Sequence, residues 1–295
     1  MTQAPNSAGE ASPRTIIPAN ACDAHCHILD PRFAPGAGTR PAGMTVADYR
    51  LLQQRIGTGR SVFVQAKYHG TDHACLRDAL AQMNGKARGV AVVPPEVTDA
   101  DLRELHAAGV RGLRFSVWNP ADTIATIEMI EPLSHRIAPL GWHAQIHMSG
   151  EQIVAHAALL ERLPCPIVID HMGRLPPATG TGHPAFATIS RLIDRGRCWV
   201  KLSGAYLNTI DGPPYRDATR VAQAFTRLAP ERLVWGSDWP HVTEQHKPDD
   251  AALIDLLEEW SGTDEIRTRI LVDNPTVLYG FWEKQPLDRY QSKVP

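Results

Sequence analysis

Two histidines separated by one residue, His25 and His27, lie near the start of the chain in the run DAHCH. The surrounding stretch is apolar and strand-like, and side chains two positions apart in a β-strand point to the same face. Both imidazoles are therefore expected to converge on one side of the strand, as two ligands of one metal ion must. Cys26 lies between them and is expected to pack as a buried thiol on the other face.

Three more residues with suitable chemistry lie at the ends of later apolar runs: His147, His171 and Asp238. Imidazoles together with a carboxylate form a good site for a borderline divalent ion. Zinc is the expected ion, with manganese or cobalt as alternatives, and such an ion lowers the pKa of a bound water toward ~7. The predicted ligands are His25, His27, His147 and Asp238.

These residues can meet only if the elements that carry them are neighbours. Short runs rich in β-branched residues alternate along the chain with stretches whose apolar residues recur every three to four positions, which is typical of repeated βα units. Strands are predicted at residues 21–28, 61–66, 89–93, 112–116, 143–147, 167–171, 198–202 and 233–236. Helices are predicted at residues 99–108, 124–138, 152–163, 186–195, 220–228, 249–260 and 264–278.

Eight such units predict a single-domain α/β fold, a distorted TIM (β/α)8 barrel over residues 16–295. Active sites of such barrels lie at the C-terminal ends of the strands, and closure makes the first and eighth strands neighbours. A Pro/Gly-rich loop at residues 30–44 is expected to form a lid, and residues 205–215 form a second long loop. A doubly wound open sheet is the alternative, although no GxGxxG motif follows the first strand.

Composition excludes several classes of function. The chain has 295 residues with 30 basic and 32 acidic side chains, so a nucleic-acid-binding surface is not expected. No apolar run approaches the ~20 residues that cross a bilayer. Five scattered cysteines without a CxxC motif are typical of reduced thiols and predict a cytoplasmic protein. Residues 1–15 are small and polar and are expected to be a disordered leader, and the outer helices of a barrel would allow a homodimer.

Together these motifs resemble the metal-dependent amidohydrolase superfamily, in the branch that holds pyrone-dicarboxylate and sulfomuconolactone hydrolases. The resemblance extends over residues 17–281 and rests on DAHCH (23–27), VQA (64–66), HGTD (69–72), GVRGLRF (109–115), IDHMGR (169–174), WGSDWP (235–240) and NP (274–275). It implies that His25 and His27 are ligands or electrophilic contacts on the first strand and that His171 is a catalytic imidazole on the sixth. It also implies that Asp238 is the general base that activates the attacking water.

The sequence departs from the pyrone-dicarboxylate lactonases at three positions. Those enzymes resemble this chain but carry a tyrosine at the end of strand five and work without a metal, whereas His147 stands there in this chain. Of their carboxylate-binding arginines Arg114 is kept, Pro120 occupies the next position, and the strand-seven segment at residues 201–207 has none. Losing two bidentate anion contacts predicts a less anionic substrate.

The predicted activity is metal-assisted hydrolysis of a small organic-acid lactone, of the muconolactone, sulfomuconolactone or sugar-lactone type, by water activated at Asp238. Substrate contacts are predicted for Arg114, Lys67, Tyr68, His69, Arg174, Tyr206 and His241. The alternatives are non-oxidative decarboxylation of an aromatic or enoic acid at the same metal site, lactone isomerisation, and a binding protein without activity. Operation without a metal stays open, since the relatives differ on this point. A serine nucleophile is not expected, because no GxSxG motif is present.

Overall fold

The computed structural model describes residues 3–33, 44–119, 121 and 123–282, and its centre is one sheet of eight parallel strands. The strands follow one another around the sheet in chain order, each hydrogen-bonded to the next. They are β1 (Cys22–Cys26), β2 (Arg60–Val64), β3 (Ala87–Ala91), β4 (Val110–Ser116), β5 (His143–His147), β6 (Ile167–Ile169), β7 (Cys198–Leu202) and β8 (Leu233–Trp235).

The sheet closes because the segment after β8 pairs with β1. The backbone N–H of His27 donates to the carbonyl of Trp239 at 2.8 Å, and that of Asp238 donates to the carbonyl of His25 at 2.7 Å. Gly236 permits this approach, because a Cβ at its position would lie 2.5 Å from the Cβ of His25. The prediction of a TIM barrel is confirmed, and its closure joins the two ends of the sequence at the histidine pair.

A buried carboxylate reinforces this seam. Asp23 is fully buried and accepts hydrogen bonds from the backbone N–H of Ser237 at 2.9 Å and from its hydroxyl at 2.6 Å. The hydroxyl of Tyr49 donates to the same carboxylate at 3.0 Å. Hydrogen bonds to a charged group are stronger than those between neutral groups. The first residue of the DAHCH motif therefore holds the two strands that present the candidate ligands.

Helices cover the outside of the barrel. They are α1 (Val46–Ile56), α2 (Ala74–Gln82), α3 (Asp99–Ala108), α4 (Ile127–Ile137), α5 (Gly150–Ala155), α6 (Ala157–Arg162), α7 (Pro184–Asp194), α8 (Arg216–Leu228), α9 (Asp250–Ser261), α10 (Asp264–Thr268) and α11 (Asn274–Tyr279). The sequence interpretation did not include α1 and α2, and it gave α5 and α6 as one helix. Thr45 begins α1 with a reciprocal capping box to Asp48, a signal that was present in the sequence.

Alternation along the strands separates the core from the site. On β4, Leu113 and Phe115 belong to the large apolar cluster between sheet and helices, whereas Arg114 and Ser116 alternate with them and line a cavity at the barrel mouth. One face of β4 therefore contributes to the apolar core, and the other face contributes to the candidate site.

The segment expected to be a disordered leader is held against the barrel over its described part. The indole N–H of Trp239 donates to the carbonyl of Pro5 at 2.8 Å. The guanidinium of Arg55 donates to the hydroxyl of Ser7 and to the carbonyls of Ala8 and Ala11. These bonds satisfy a polar backbone that has no regular structure of its own. The central part of the expected lid, residues 34–43, lies outside the described residues. No helix in the described part of the chain is long and apolar enough to cross a membrane.

Candidate active site

The mouth of the barrel opens into a cavity of about 700 Å³ at the C-terminal ends of the strands. It is lined by charged and polar groups together with a smaller number of apolar side chains. The polar and charged lining comprises His27, Lys67, Tyr68, Arg114, Ser116, Asn119, His147, His171, Arg174, Asp238, Thr243 and Glu244. The apolar lining comprises Leu29, Met44, Ala66, Trp118, Leu207 and Val242.

The two histidines of β1 meet Asp238 as expected from barrel closure. Their Nε2 atoms each lie 3.5 Å from Oδ1 of Asp238. Nδ1 of His27 lies 2.7 Å from the carbonyl of Val64 and must donate to it, which leaves Nε2 of the ring facing the carboxylate. Nε2 of His25 is buried and has no hydrogen-bond partner among the described residues. Two imidazole nitrogens and a carboxylate oxygen that converge in this way are donors suited to a divalent cation.

Asp238 owes its orientation to an unusual backbone conformation. Its φ is 66°, in the left-handed region that non-glycine residues rarely adopt, and a carboxyl at such a position commonly has a functional reason. Burial alone would raise the pKa of Asp238, but the imidazoles of His171, His27 and His25 overcome burial and hold the pKa well below its usual range. The group is therefore an ionised base at neutral pH.

His171 and His147 approach from the opposite wall of the cavity. Nε2 of His171 lies 4.0 Å from Oδ1 of Asp238, and its Nδ1 lies 3.0 Å from the hydroxyl of Ser203. Nδ1 of His147 lies 3.0 Å from the hydroxyl of Ser116, while its Nε2 is buried without a hydrogen-bond partner among the described residues. The ring centroids of these two histidines are 5.2 Å apart.

Burial favours the neutral form of His25, His147 and His171, and a histidine that binds a metal ion must be neutral. Burial is the main cause of a pKa well below the usual value at His25, with the charge of Lys201 second. At His147 burial is again first and His171 second. Burial also lowers the pKa of His171, against the attraction of Asp238. Each ring therefore offers a nitrogen lone pair at neutral pH.

A buried polar group beneath His25 was not found by sequence reasoning. Nζ of Lys201 donates to Oε1 of Gln145 at 2.7 Å and lies 3.6 Å from Oδ1 of Asp170. Gln145 in turn donates to Oδ2 of Asp170 at 3.0 Å, and Oδ1 of that carboxylate lies 3.4 Å from Nδ1 of His25. Burial lowers the pKa of Lys201 to about 8. Gln145 lies two residues before His147 on β5, and Asp170 directly precedes His171, so strand alternation was the signal available for these two. β7, which carries Lys201, holds no predicted site residue.

The donor atoms fit a single divalent ion. Ligand atoms of His25, His27 and Asp238 all lie within 4.8 Å of one another, and two imidazoles with one carboxylate suit a zinc-like ion. A second group of this size comprises His25, Asp170 and His171. His147 belongs to neither group, although its buried Nε2 faces the same cavity. The structure thus brings together three of the four predicted ligands.

The predicted substrate contacts divide into two sets. Lys67, Tyr68, Arg114 and Arg174 line the cavity. Three others are directed elsewhere in the structure. Nε2 of His69 lies 3.2 Å from the carbonyl of Ile28, and His241 is 1% exposed with its Nε2 3.1 Å from the carboxylate of Asp250. The hydroxyl of Tyr206 donates to Oδ2 of Asp238 at 2.7 Å.

The sequence interpretation selected none of the apolar lining residues, among which Trp118 contacts two charged or polar groups of the site. Trp118 is 42% exposed at the mouth and its ring is stacked on His147, with centroids 6.0 Å apart. The guanidinium of Arg174 lies 4.5 Å from the centre of the same ring. Trp118 lies two residues after the end of β4, in a segment whose sequence shows neither strand nor helix periodicity. Pro120, taken as a replacement for an arginine, lies outside the described residues.

Known proteins are similar to this chain in sequence and in fold. The chain is 36% identical over 287 residues to a 2-pyrone-4,6-dicarboxylate hydrolase of Comamonas testosteroni, covering 92% of this chain and 94% of the relative. It is 32% identical over 276 residues to a 4-sulfomuconolactone hydrolase of Hydrogenophaga intermedia, covering 90% and 91%. An apo crystal structure of an Agrobacterium tumefaciens protein superposes with a TM-score of 0.86 at 28% identity, covering 93% of this chain and 98% of the other.

The family model described as Amidohydrolase matches residues 22–281, a range that extends from β1 to the end of the described chain and includes the histidine pair and Asp238. The resemblance inferred from the motifs is confirmed, and the chain belongs to the amidohydrolase family.

Proposed function

We propose that the protein hydrolyses a small organic-acid lactone with the help of one divalent metal ion. The observation that carries this proposal is the position of Asp238, an ionised carboxylate whose Oδ1 lies 3.5 Å from the Nε2 atoms of His25 and His27 at the mouth of a cavity of about 700 Å³. The names of the relatives, a pyrone-dicarboxylate hydrolase and a sulfomuconolactone hydrolase, support a cyclic ester as the substrate.

His25, His27 and Asp238 would hold the ion, and His147 would complete the set from the other wall. When bound, a divalent ion polarises a carbonyl and lowers the pKa of an adjacent water. Zinc suits the imidazole–carboxylate donors best, and manganese or cobalt would replace it. The two buried Nε2 atoms without hydrogen-bond partners, on His25 and His147, support this ligand set.

The residues of the chain would carry the proton steps. Oδ1 of Asp238 accepts a proton from the attacking water, whose oxygen bonds to the lactone carbonyl carbon. With the hydroxyl of Ser203 donating to Nδ1, His171 presents its Nε2–H to the cavity and donates to the developing oxyanion. The ring C–O bond then breaks, and Asp238 returns the proton to the leaving oxygen. The product is the open-chain hydroxy acid.

The cavity supports a substrate with one carboxylate and an apolar or unsaturated body. Nη1 of Arg114 lies 3.4 Å from the carbonyl of Gln65, and its Nε is buried without a hydrogen-bond partner among the described residues. The forked N–H donors of the Arg114 guanidinium are suited to binding a carboxylate. The apolar residues of the cavity lining include Trp118, Leu29 and Leu207.

The test is incubation of the purified protein with monocarboxylate lactones in ¹⁸O-labelled water. Incorporation of one ¹⁸O into a ring-opened acid is the expected result. A rearranged lactone without label would show an isomerase, and carbon dioxide release from an aromatic or enoic acid without water uptake would show a decarboxylase. Either outcome would replace the proposal.

A further inference from the structure

The two oxygens of the Asp238 carboxylate face different surroundings. Oδ1 lies 3.5 Å from the Nε2 atoms of His25 and His27 and 4.0 Å from that of His171. Oδ2 instead accepts a hydrogen bond of 2.7 Å from the hydroxyl of Tyr206. One oxygen thus points to the reacting centre, and the other points away from it toward a protein donor.

The donor is itself held by a chain of buried groups. The hydroxyl of Tyr206 also lies 2.9 Å from Nδ1 of His241, whose Nε2 lies 3.1 Å from both oxygens of Asp250. The side chains of His241 and Asp250 are fully buried. Because a carboxylate only accepts hydrogen bonds, Nε2 of His241 must carry a hydrogen, and this fixes the ring orientation that faces Tyr206. The hydroxyl of Tyr206 has one hydrogen, which it donates to Oδ2 of Asp238, so its oxygen accepts from Nδ1 of His241.

The chain of contacts joins separate parts of the fold. Tyr206 lies in the turn that follows β7, His241 follows β8, and Asp250 is the first residue of α9. His241 adopts a φ of 55°, and its backbone N–H donates to the carbonyl of Asp238 at 2.9 Å. The backbone N–H of Asp250 lies 3.3 Å from the hydroxyl of Ser7, in the N-terminal segment that packs on the barrel. Strained backbone of this kind persists only where its surroundings enforce it.

We infer that Tyr206 is a positioning residue for the proposed hydrolysis, fixing Oδ2 of Asp238 so that Oδ1 alone meets the water, and that His241 and Asp250 hold its hydroxyl in place. This inference rests on the proposed function for the role of Asp238. It differs from the sequence interpretation, in which Tyr206 and His241 contact substrate. Neither is among the described residues that line the cavity, because the hydroxyl of one and the ring of the other are engaged with buried partners.

Tyr206→Phe removes the donor and frees the Asp238 carboxylate to rotate. Removing a partner that orients a group at a metal site commonly costs ~10- to 100-fold in activity. We expect kcat to fall by that factor, with KM changed less than about threefold, since the lost contact does not reach substrate. Tyr215→Phe is the matched control, because it removes a hydroxyl from a buried tyrosine outside the cavity lining. We expect it to keep kcat and KM unchanged.

Asp250→Asn tests the outer part of the chain through a double-mutant cycle. If Asp250 acts through Tyr206, its substitution lowers kcat in the wild-type background and has little further effect in the Tyr206→Phe background. A role of Asp250 in folding alone would give equal effects in both backgrounds and would overturn that part of the inference. Thermal unfolding of every variant establishes that the compared proteins are folded.

A crystal structure of the Tyr206→Phe variant supplies a readout that does not depend on activity. The expected result is a carboxylate of Asp238 rotated or present in two orientations. An unchanged carboxylate with unchanged kcat would overturn the inference, as would a raised KM with unchanged kcat, which would make Tyr206 a substrate contact. If Asp238→Asn itself retained activity, the proposed function would fail instead, and the two failures are thereby distinguished.

Discussion

His147 and His143 lie at the two ends of the same strand, β5, and both point into the barrel, but they meet different surroundings. His147 lies at the mouth, with Nδ1 on the hydroxyl of Ser116 and Nε2 facing the cavity. His143 lies at the floor, 1% exposed, against the ring of Tyr279 and without a side-chain hydrogen bond to any described residue.

The comparison shows that position on a barrel strand does not by itself give a histidine a role in the site. Gly112 on the neighbouring strand leaves the room that the floor histidine fills, because a Cβ there would lie 2.4 Å from Nε2 of His143. At the mouth the space beside His147 is open cavity instead. The chemical role of a histidine in a barrel strand therefore depends on the groups that surround its ring nitrogens. The presence of a histidine at a strand position is not sufficient. The predictions below test this division between mouth and floor.

The largest effect is expected at the mouth carboxylate. Asp238→Asn keeps the shape of the side chain but removes the base, so kcat for lactone hydrolysis should fall by about 10²- to 10⁴-fold. Steady-state kinetics measures the loss, and circular dichroism should show an unchanged fold. Near wild-type turnover in this variant would show that water is activated elsewhere.

The two histidines of β5 provide the direct test of the comparison. His147→Ala should weaken metal binding by roughly 10-fold or more, because it removes a nitrogen from the proposed ligand set. His143→Leu should leave metal content and turnover unchanged. Elemental analysis of protein dialysed against graded chelator measures both variants. Equal retention of metal by both would remove His147 from the ligand set and leave His25, His27 and Asp238.

Arg114 tests the charged side of the mouth. Arg114→Gln removes a charged donor from the cavity, and hydrogen bonds to charged groups contribute about 1.5–3 kcal/mol. We expect KM for a carboxylate-bearing lactone to rise roughly 10- to 100-fold, with a much smaller change for the corresponding methyl ester. A similar loss for acid and ester would indicate that Arg114 supports the barrel interior, where its Nε lies 4.0 Å from Asp170.

The smallest effect is expected at the floor of the barrel, where His143 should lower the stability of the folded protein at low pH. Burial, with a contribution from Lys201, lowers the pKa of His143 to about 3, whereas an unfolded histidine titrates near about 6.5. Between these values the unfolded state binds the extra proton. Stability is therefore full above about pH 6.5 and falls as the pH drops toward 3, by about 1 kcal/mol per pH unit.

His143→Leu should remove the loss of stability that protonation of His143 causes at low pH. At neutral pH the free energy of unfolding should be unchanged or raised by about 1 kcal/mol, because the variant lacks a buried polar ring without hydrogen bonds. Urea unfolding of the variant and the wild type at pH 5 and pH 7.5 measures the difference. An identical loss of stability in both proteins between these values would assign the acid sensitivity to other groups.

Local sequence patterns predicted much of the barrel correctly. The bounds of β5, β7 and α3 match those predicted, because short apolar runs and three-to-four-residue spacing are local properties of the chain. The sequence interpretation missed α1 and α2, although Tyr49, Leu52 and Ile56 of α1 are buried and recur at helical spacing. The capping residue Thr45 and the reciprocal Asp48 were a second available signal for this helix.

Local sequence specified the residue types at the strand ends, and with them the imidazole and carboxylate chemistry of His25, His27, His171 and Asp238. The packing of the whole barrel decides which of those groups meet and which residues lie behind them. Closure of β1 on β8 joins residues more than two hundred positions apart, and the contacts of Tyr206 with Asp238 and His241 join the turn after β7 to the turn after β8. Such contacts depend on the packing of whole elements, and no local pattern in the chain encodes them.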